Sequence, residues 1–217
     1  MLSLLSAAIA PAFALLSFFY LKDEYELEPI IDIFRNFLYG FLLVFPIMFI
    51  QFAIIEEQLI ENTILQSYLL YALMEEFFKW FIFLIVAFKN SKFMTAYDGI
   101  VYGVSISLGF ATFENILYLF AHGIEFAFSR AIFPVSAHAL FGVMMGYYMG
   151  RARIHSERKN TFLFLALLFP FLLHGTYDYI LIAIGDWWLY GIVPFMIFLW
   201  LYSLRKVKIA NGMRQQI

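Results

Sequence analysis

The chain has 217 residues, 64% of them hydrophobic and only 14% charged, and its mean hydropathy of +0.82 excludes an ordinary soluble domain. The net charge of −2 says little by itself; how the charges are distributed says more. With no cysteine, disulfides, thiolate metal ligands and a cysteine nucleophile are excluded together.

A helix needs about 20 apolar residues to cross the hydrocarbon core. Runs of that kind fall near 2–21, 37–55, 64–88, 99–121, 131–149, 162–184 and 189–204. The first has the small residues Ala7-Ala8-Ile9-Ala10 of a cleavage site but no basic segment before it, so it is expected to be retained as a helix. None of the runs alternates as a barrel strand would. No linker, tail or low-complexity stretch divides the chain. The expectation is an all-α, polytopic membrane bundle of about seven helices, one domain over 1–217, with no nucleic-acid partner.

The basic residues choose an orientation. Lys22, Arg35, Lys89, Lys92, the Arg151–Lys159 segment and the Arg205–Arg214 segment fall on one side of the seven spans, and Arg130 alone falls on the other. The positive-inside rule then puts the N-terminus outside and the C-terminus in the cytoplasm. Five prolines (Pro11, Pro46, Pro134, Pro170 and Pro194) lie inside the spans, where neighbouring groups must satisfy the freed carbonyls. Small residues recur four apart, at Gly99, Gly103, Ser107 and Ala111 and at Gly142, Gly146 and Gly150, which lets helices approach closely. Asn115 and His138 continue these two rows and are expected to face inward.

The third run carries Glu75-Glu76-Phe77-Phe78-Lys79 in its middle. One ionised side chain near the bilayer centre costs roughly 2.5–3.5 kcal/mol on insertion scales. Three within five residues therefore need partners, water or a task. On a helix Lys79 sits one turn from both carboxylates and can neutralise one of them. Glu75 and Glu76 point about 100° apart, which predicts different duties. Further ionisable groups lie in later spans: Glu114, His138, and the pair His174 and Asp178 on one helix face. At about 1.5 Å per residue, all fall in the outer half of the membrane or near its midplane. Each has a structural reading: an internal ion pair for Glu76 and Lys79, an interhelical hydrogen bond for His174 and Asp178, a neutral core acid for Glu114, packing for His138. The joint pattern is what argues for chemistry. His122 and His155 fall in loops, and Trp187-Trp188 suit an interfacial belt.

Several intramembrane chemistries are excluded by motif. His-Glu-x-x-His is absent. No serine has the Gly-x-Ser-Gly context of a rhomboid-like protease. Tyr177-Asp178 and Gly185-Asp186 imitate an aspartyl site, but Ala183 replaces the first glycine and both acids belong to one span or its end. Hydrolysis by a Glu/His set remains, with or without a metal.

Glu75-Glu76-x-x-Lys79, Phe110-x-x-x-Glu114, His138 and His174-x-x-x-Asp178, in that order on successive spans, resemble the PrsW family of bacterial intramembrane proteases. The resemblance extends to Ile9-Ala10-Pro11, Tyr20-Leu21-Lys22-Asp23, the Phe45–Gln51 run, Tyr97-Asp98-Gly99-Ile100-Val101-Tyr102-Gly103 and His174-Gly175, nearly the whole chain. In motif layout the family is similar to CAAX prenyl endopeptidases, with EExxK in place of EExxxR. The resemblance implies site-1 cleavage of a single-pass anti-sigma factor, followed by a site-2 protease and release of a sigma factor in envelope stress. It also implies a multi-pass protein of a bacterial plasma membrane, with essential roles for the glutamate pair and the later histidine.

Two mechanisms are open at this point. In one, Glu75 is the general base and His174, oriented by Asp178, helps activate water or binds the oxyanion; Glu76 and Lys79 hold the electrostatics, and Glu114 and His138 position. In the other, His138 and His174 with Glu114, Asp178 or Glu75 ligate a metal, zinc being the natural choice, and a glutamate remains as base. Lys79 beside the acids tilts the balance toward a metal-free or weakly metal-dependent site. The rival from another class is a proton-coupled transporter using the same groups as a relay, against which stands the absence of an internal repeat. A non-catalytic scaffold or receptor leaves the cluster unexplained.

Overall fold

The computed structural model describes residues 1–23 and 27–214, and among them every regular element is helical. Helices α1 (Leu2–Leu21), α2 (Ile30–Glu56), α4 (Ala96–His122), α6 (Lys159–Ala183) and α7 (Trp188–Arg214) are α-helical along their length. The third rod, α3, is built from Thr63–Leu65, Gln66–Leu73, Met74–Ile82 and Phe83–Ala87, the second and fourth stretches being π-helical. The fifth, α5, opens at Ala127–Arg130, passes through a π turn at Ala131–Val135 and continues as Ser136–Ile154. Pro134 accounts for that turn, because it has no N–H to give and its ring crowds the preceding turn.

Among the described residues, six rods are long and apolar enough to cross a membrane. The exception is α3, whose regular α-helical stretches are short and whose apolar run is interrupted by Glu75, Glu76 and Lys79. The hydropathy runs underestimate two helices. α2 begins seven residues before residue 37, and α7 continues ten residues past residue 204. Both extensions are amphipathic: Asp32 pairs with Arg35 at 2.8 Å, and Lys206 Nζ donates to Tyr148 Oη at 3.3 Å. Leu38, Leu42, Phe45, Phe49 and Phe52 form an exposed apolar stripe on α2, as a lipid-facing surface requires, and Trp187 and Tyr190 are exposed at the α6–α7 turn.

α4 lies at the centre, against α1, α2 and α5. Its start is fixed by a reciprocal capping box in which the Thr95 side chain accepts from Asp98 N–H while Asp98 accepts from Thr95 N–H. Tyr97 Oη donates to the Phe19 carbonyl at 2.7 Å, tying α4 to α1. Where α4 crosses α5, Gly99 and Gly146 meet backbone to backbone, and a Cβ on either would overlap the other's carbonyl. α6 closes the bundle against α5 and the π-helical part of α3. There Gly175 lies against the Tyr68 ring, which leaves no room for a side chain and brings the neighbouring His174 up to α3.

Candidate active site

The site is built from α3, α4, α5 and α6. The π-helical stretch Gln66–Leu73 ends just before Met74, and π turns inside α-helices often accompany functional sites. Gln51 of α2 donates to the Leu70 carbonyl at 3.3 Å within that stretch, and to Glu75 Oε1 at 3.4 Å. It thus couples the irregular backbone to the first glutamate.

Lys79 Nζ is the hub. It donates to Glu75 Oε2 at 3.2 Å and Glu76 Oε1 at 2.9 Å, lies 3.3 Å from His138 Nδ1, and sits 4.0 Å from the centre of the Phe110 ring. Lys79 thus supplies the counter-charge expected for one carboxylate, and it also bridges to the other and reaches a histidine. The roughly 100° between Glu75 and Glu76 sends them to different surroundings. Glu75 lines a cavity, whereas Glu76 is fully buried and reaches His174 Nδ1 at 3.0 Å. Its other oxygen has no hydrogen-bond partner in the protein.

Both histidines are held by a second carboxylate. His138 Nε2 lies 3.1 Å from Glu114 Oε2, which leaves Nδ1 as the acceptor for the Lys79 ammonium. His174 Nε2 lies 3.3 Å from Asp178 Oδ2 and 4.0 Å from Glu75 Oε2. The first separation allows charge attraction but not hydrogen-bond geometry, so that oxygen has no hydrogen-bond partner. Phe141 stacks on the His174 ring at 5.0 Å and 19°, and the two imidazoles meet edge to face at 5.1 Å.

Three contributors go beyond the expected set. Gln51 is a lone amide in an apolar run. Arg130 Nη2 donates to Glu114 Oε1 at 3.0 Å and its Nε to Asn115 Oδ1 at 2.7 Å, while Asn115 donates to the Ala8 carbonyl at 2.8 Å. Its signal was its isolation as the single basic residue at its end of the bundle. The Tyr177 ring lines the cavity three residues after His174, a spacing that places the two on one face. Asn115 and His138 are both buried, as their positions on the small-residue rows require, and His122 and His155 are exposed.

The cavity has a volume of about 240 Å³ and is lined by Glu75, Glu114, Arg130, His138, His174, Tyr177 and Asp178 among others. Arg130 and Ile182 place one side of it toward the end of the bundle that carries the α4–α5 and α6–α7 turns. One donor atom each from Glu75, Glu76, His138 and His174 lies within 4.8 Å of the others. This set differs from the expected ligands in two respects: Glu114 and Asp178 stand one step outside it, each against a histidine, and Glu76, not among the expected ligands, joins it. Oxygen and imidazole donors with carboxylates behind the histidines suit a zinc-like ion, and the unpartnered Glu76 oxygen is a free donor within the group. The residues fit a metal, though Lys79 engages three of the same four side chains.

The PrsW family of intramembrane metalloproteases matches residues 28–203. The chain belongs to this family. It is 54% identical to Protease PrsW of Oceanobacillus iheyensis, the match covering 97% of each chain. It is 51% identical to that of Bacillus subtilis over 98% of this chain and 97% of the relative, and 31% identical to that of Clostridioides difficile over 95% and 91%. No solved structure matches this chain. The protein is thus a multi-pass intramembrane protease of the bacterial plasma membrane, acting on protein substrates in the bilayer, and the transporter reading is set aside. Of the two mechanisms open at the level of sequence, the family's description as metalloproteases favours the metal-dependent one over the leaning drawn from Lys79.

Proposed function

We propose that the protein makes the first, extracytoplasmic cut in a single-pass membrane anti-sigma factor, whose remnant a site-2 protease then cleaves within the bilayer to release a sigma factor in envelope stress. The observation that carries this reading is the position of the cavity, which extends toward Arg130 and Ile182 at the end opposite the concentrated Lys and Arg residues. By the positive-inside rule that end faces outward. A peptide leaving the membrane on that side would reach Glu75 without unfolding deep in the lipid.

In this reading Glu75, exposed to the cavity, takes a proton from the attacking water as its oxygen bonds to the scissile carbonyl carbon. The same carboxyl group later gives the proton to the departing amide nitrogen. His174, packed against Phe141 and flanked by Asp178, orients the water. Glu76 and Lys79 form a buried neutral pair that fixes Glu75 and His138. Glu76, His138 and His174 would hold the metal, leaving Glu75 as the base; when bound, the metal would polarise the water and the carbonyl.

The test is to reconstitute the protein with a tagged single-pass anti-sigma factor in vesicles and map the new termini by mass spectrometry. A cut within a few residues of the membrane on the Arg130 side is expected. A cut on the basic side, or none with matched substrates, contradicts the proposal.

A further inference from the structure

The geometry points to Tyr177 as a catalytic residue that donates a hydrogen bond to the carbonyl oxygen of the scissile peptide as it becomes an oxyanion. This rests on the hydrolytic reading of the cavity given above. Tyr177 lines that cavity and is only 4% exposed, yet its hydroxyl has no hydrogen-bond partner in the protein. A buried hydroxyl left unpaired is costly, and such groups are rare unless a function retains them. The ring is held edge-on by Phe141 at 6.3 Å and packs against Phe195 at 6.5 Å, so the hydroxyl is preorganised.

The other buried donors of the site are already engaged. Lys79 is directed at Glu75, Glu76 and His138, and His138 Nε2 faces Glu114. His174 is held through Nδ1 by Glu76 while its Nε2, beside Asp178, is left to the attacking water, and Arg130 donates to Glu114 and Asn115. The site is rich in carboxylate acceptors, so a developing negative charge on the substrate needs a donor aimed at it. Tyr177 supplies one on the helix face shared by His174, three residues before it, and Leu181, four residues after it, both of which line the same cavity.

The step balances without transfer from the tyrosine. The water oxygen bonds to the carbonyl carbon, the π pair moves onto the carbonyl oxygen, and the water proton goes to Glu75. Tyr177 keeps its proton and shares it in a hydrogen bond. When the tetrahedral species collapses, the carbon–nitrogen bond breaks and the amine leaves with the proton from Glu75.

An unpartnered hydroxyl makes the test unusually clean, because Tyr177→Phe removes no protein hydrogen bond. In the reconstituted assay kcat is expected to fall by about 100-fold, the usual loss for one oxyanion donor, with KM within twofold and the thermal midpoint unchanged or higher. In parallel, a peptidyl phosphinate, whose tetrahedral anion mimics that species, should bind Tyr177→Phe about 100-fold more weakly than wild type, read by displacement of a labelled copy. Unchanged kcat with unchanged phosphinate binding overturns the proposal, as does a loss of activity that follows a drop in thermal midpoint. Glu75→Gln serves as the control: if wild type fails to cut the chosen substrate, the substrate reading fails, and phosphinate binding still decides the role of Tyr177.

Discussion

Where α4 crosses α5, two backbones meet at Gly99 and Gly146 with no side chain between them; where α3 faces α6, the gap is filled by Glu75, Glu76, Lys79 and His174. The first contact depends on shape alone. It is tight, uncharged and indifferent to protonation or ions. The second depends on charge, and it survives in an apolar protein because each ionisable group finds an opposite or polar neighbour. The frame therefore carries stability, while the charged half can be arranged for chemistry. α5 belongs to both, with Gly146 on the seam and His138 at the site.

The largest effect separates the two halves most sharply. Gly146→Leu should abolish the folded protein, because the new side chain cannot avoid the backbone of α4; size-exclusion chromatography of detergent extracts would show aggregate in place of a monodisperse peak. Lys79→Met should leave the seam intact but remove the counter-ion of two carboxylates, costing about 3–5 kcal/mol, as expected when one partner of a buried ion pair is lost. Zinc should recover part of that loss, since the donors that Lys79 engages are those a metal would use. Thermal unfolding with and without zinc checks this, and no response to zinc would show that these donors do not form a metal set. Arg130→Gln should lower activity by about 10–100-fold with little change in thermal midpoint, because Arg130 fixes the carboxylate behind His138.

The smallest effect lies outside both halves. Glu28, in the connection between α1 and α2, is held up at about 7 because burial disfavours its charged form and Asp98 adds to the effect, against the hydrogen bond from Tyr102. A carboxyl raised in the folded state favours folding fully below its ordinary value near 4.5, and this contribution is lost as pH rises through about 7. Stability should therefore decline across that window in wild type and flatten in Glu28→Gln, as read by unfolding midpoints at pH 5, 6 and 7.5.

Much of this was legible before the structure. The apolar runs located all seven rods, six of which have the length and composition that crossing a membrane imposes. The rows of small residues foretold the close approach at Gly99 and Gly146. What the runs could not give was the length of helix beyond the hydrocarbon, since Arg35 and Lys206 look like loop residues to a hydropathy window. Nor was there any signal for the π turns of α3, which arise without a proline. The site residues stood out because charge in an apolar run is conspicuous. Their wiring did not, because Lys79 reaching across to His138 and Arg130 reaching back to Glu114 depend on packing between rods. Tyr177 stood out only as half of a false aspartyl motif, because nothing in a chain with 21% aromatic residues signals that its hydroxyl is left unpaired.

The central claim is that the charged face of α3 is the hydrolytic centre rather than a structural ion network. The most direct test compares purified wild type with Glu75→Gln in cleavage of a tagged single-pass substrate, with a chelator and metal add-back as parallel arms. The account predicts a loss of at least about 1,000-fold in the variant, within the range attributed to general acid–base groups, with its thermal midpoint preserved and activity removed by chelation and restored by metal. Equal cleavage by wild type and Glu75→Gln would contradict it.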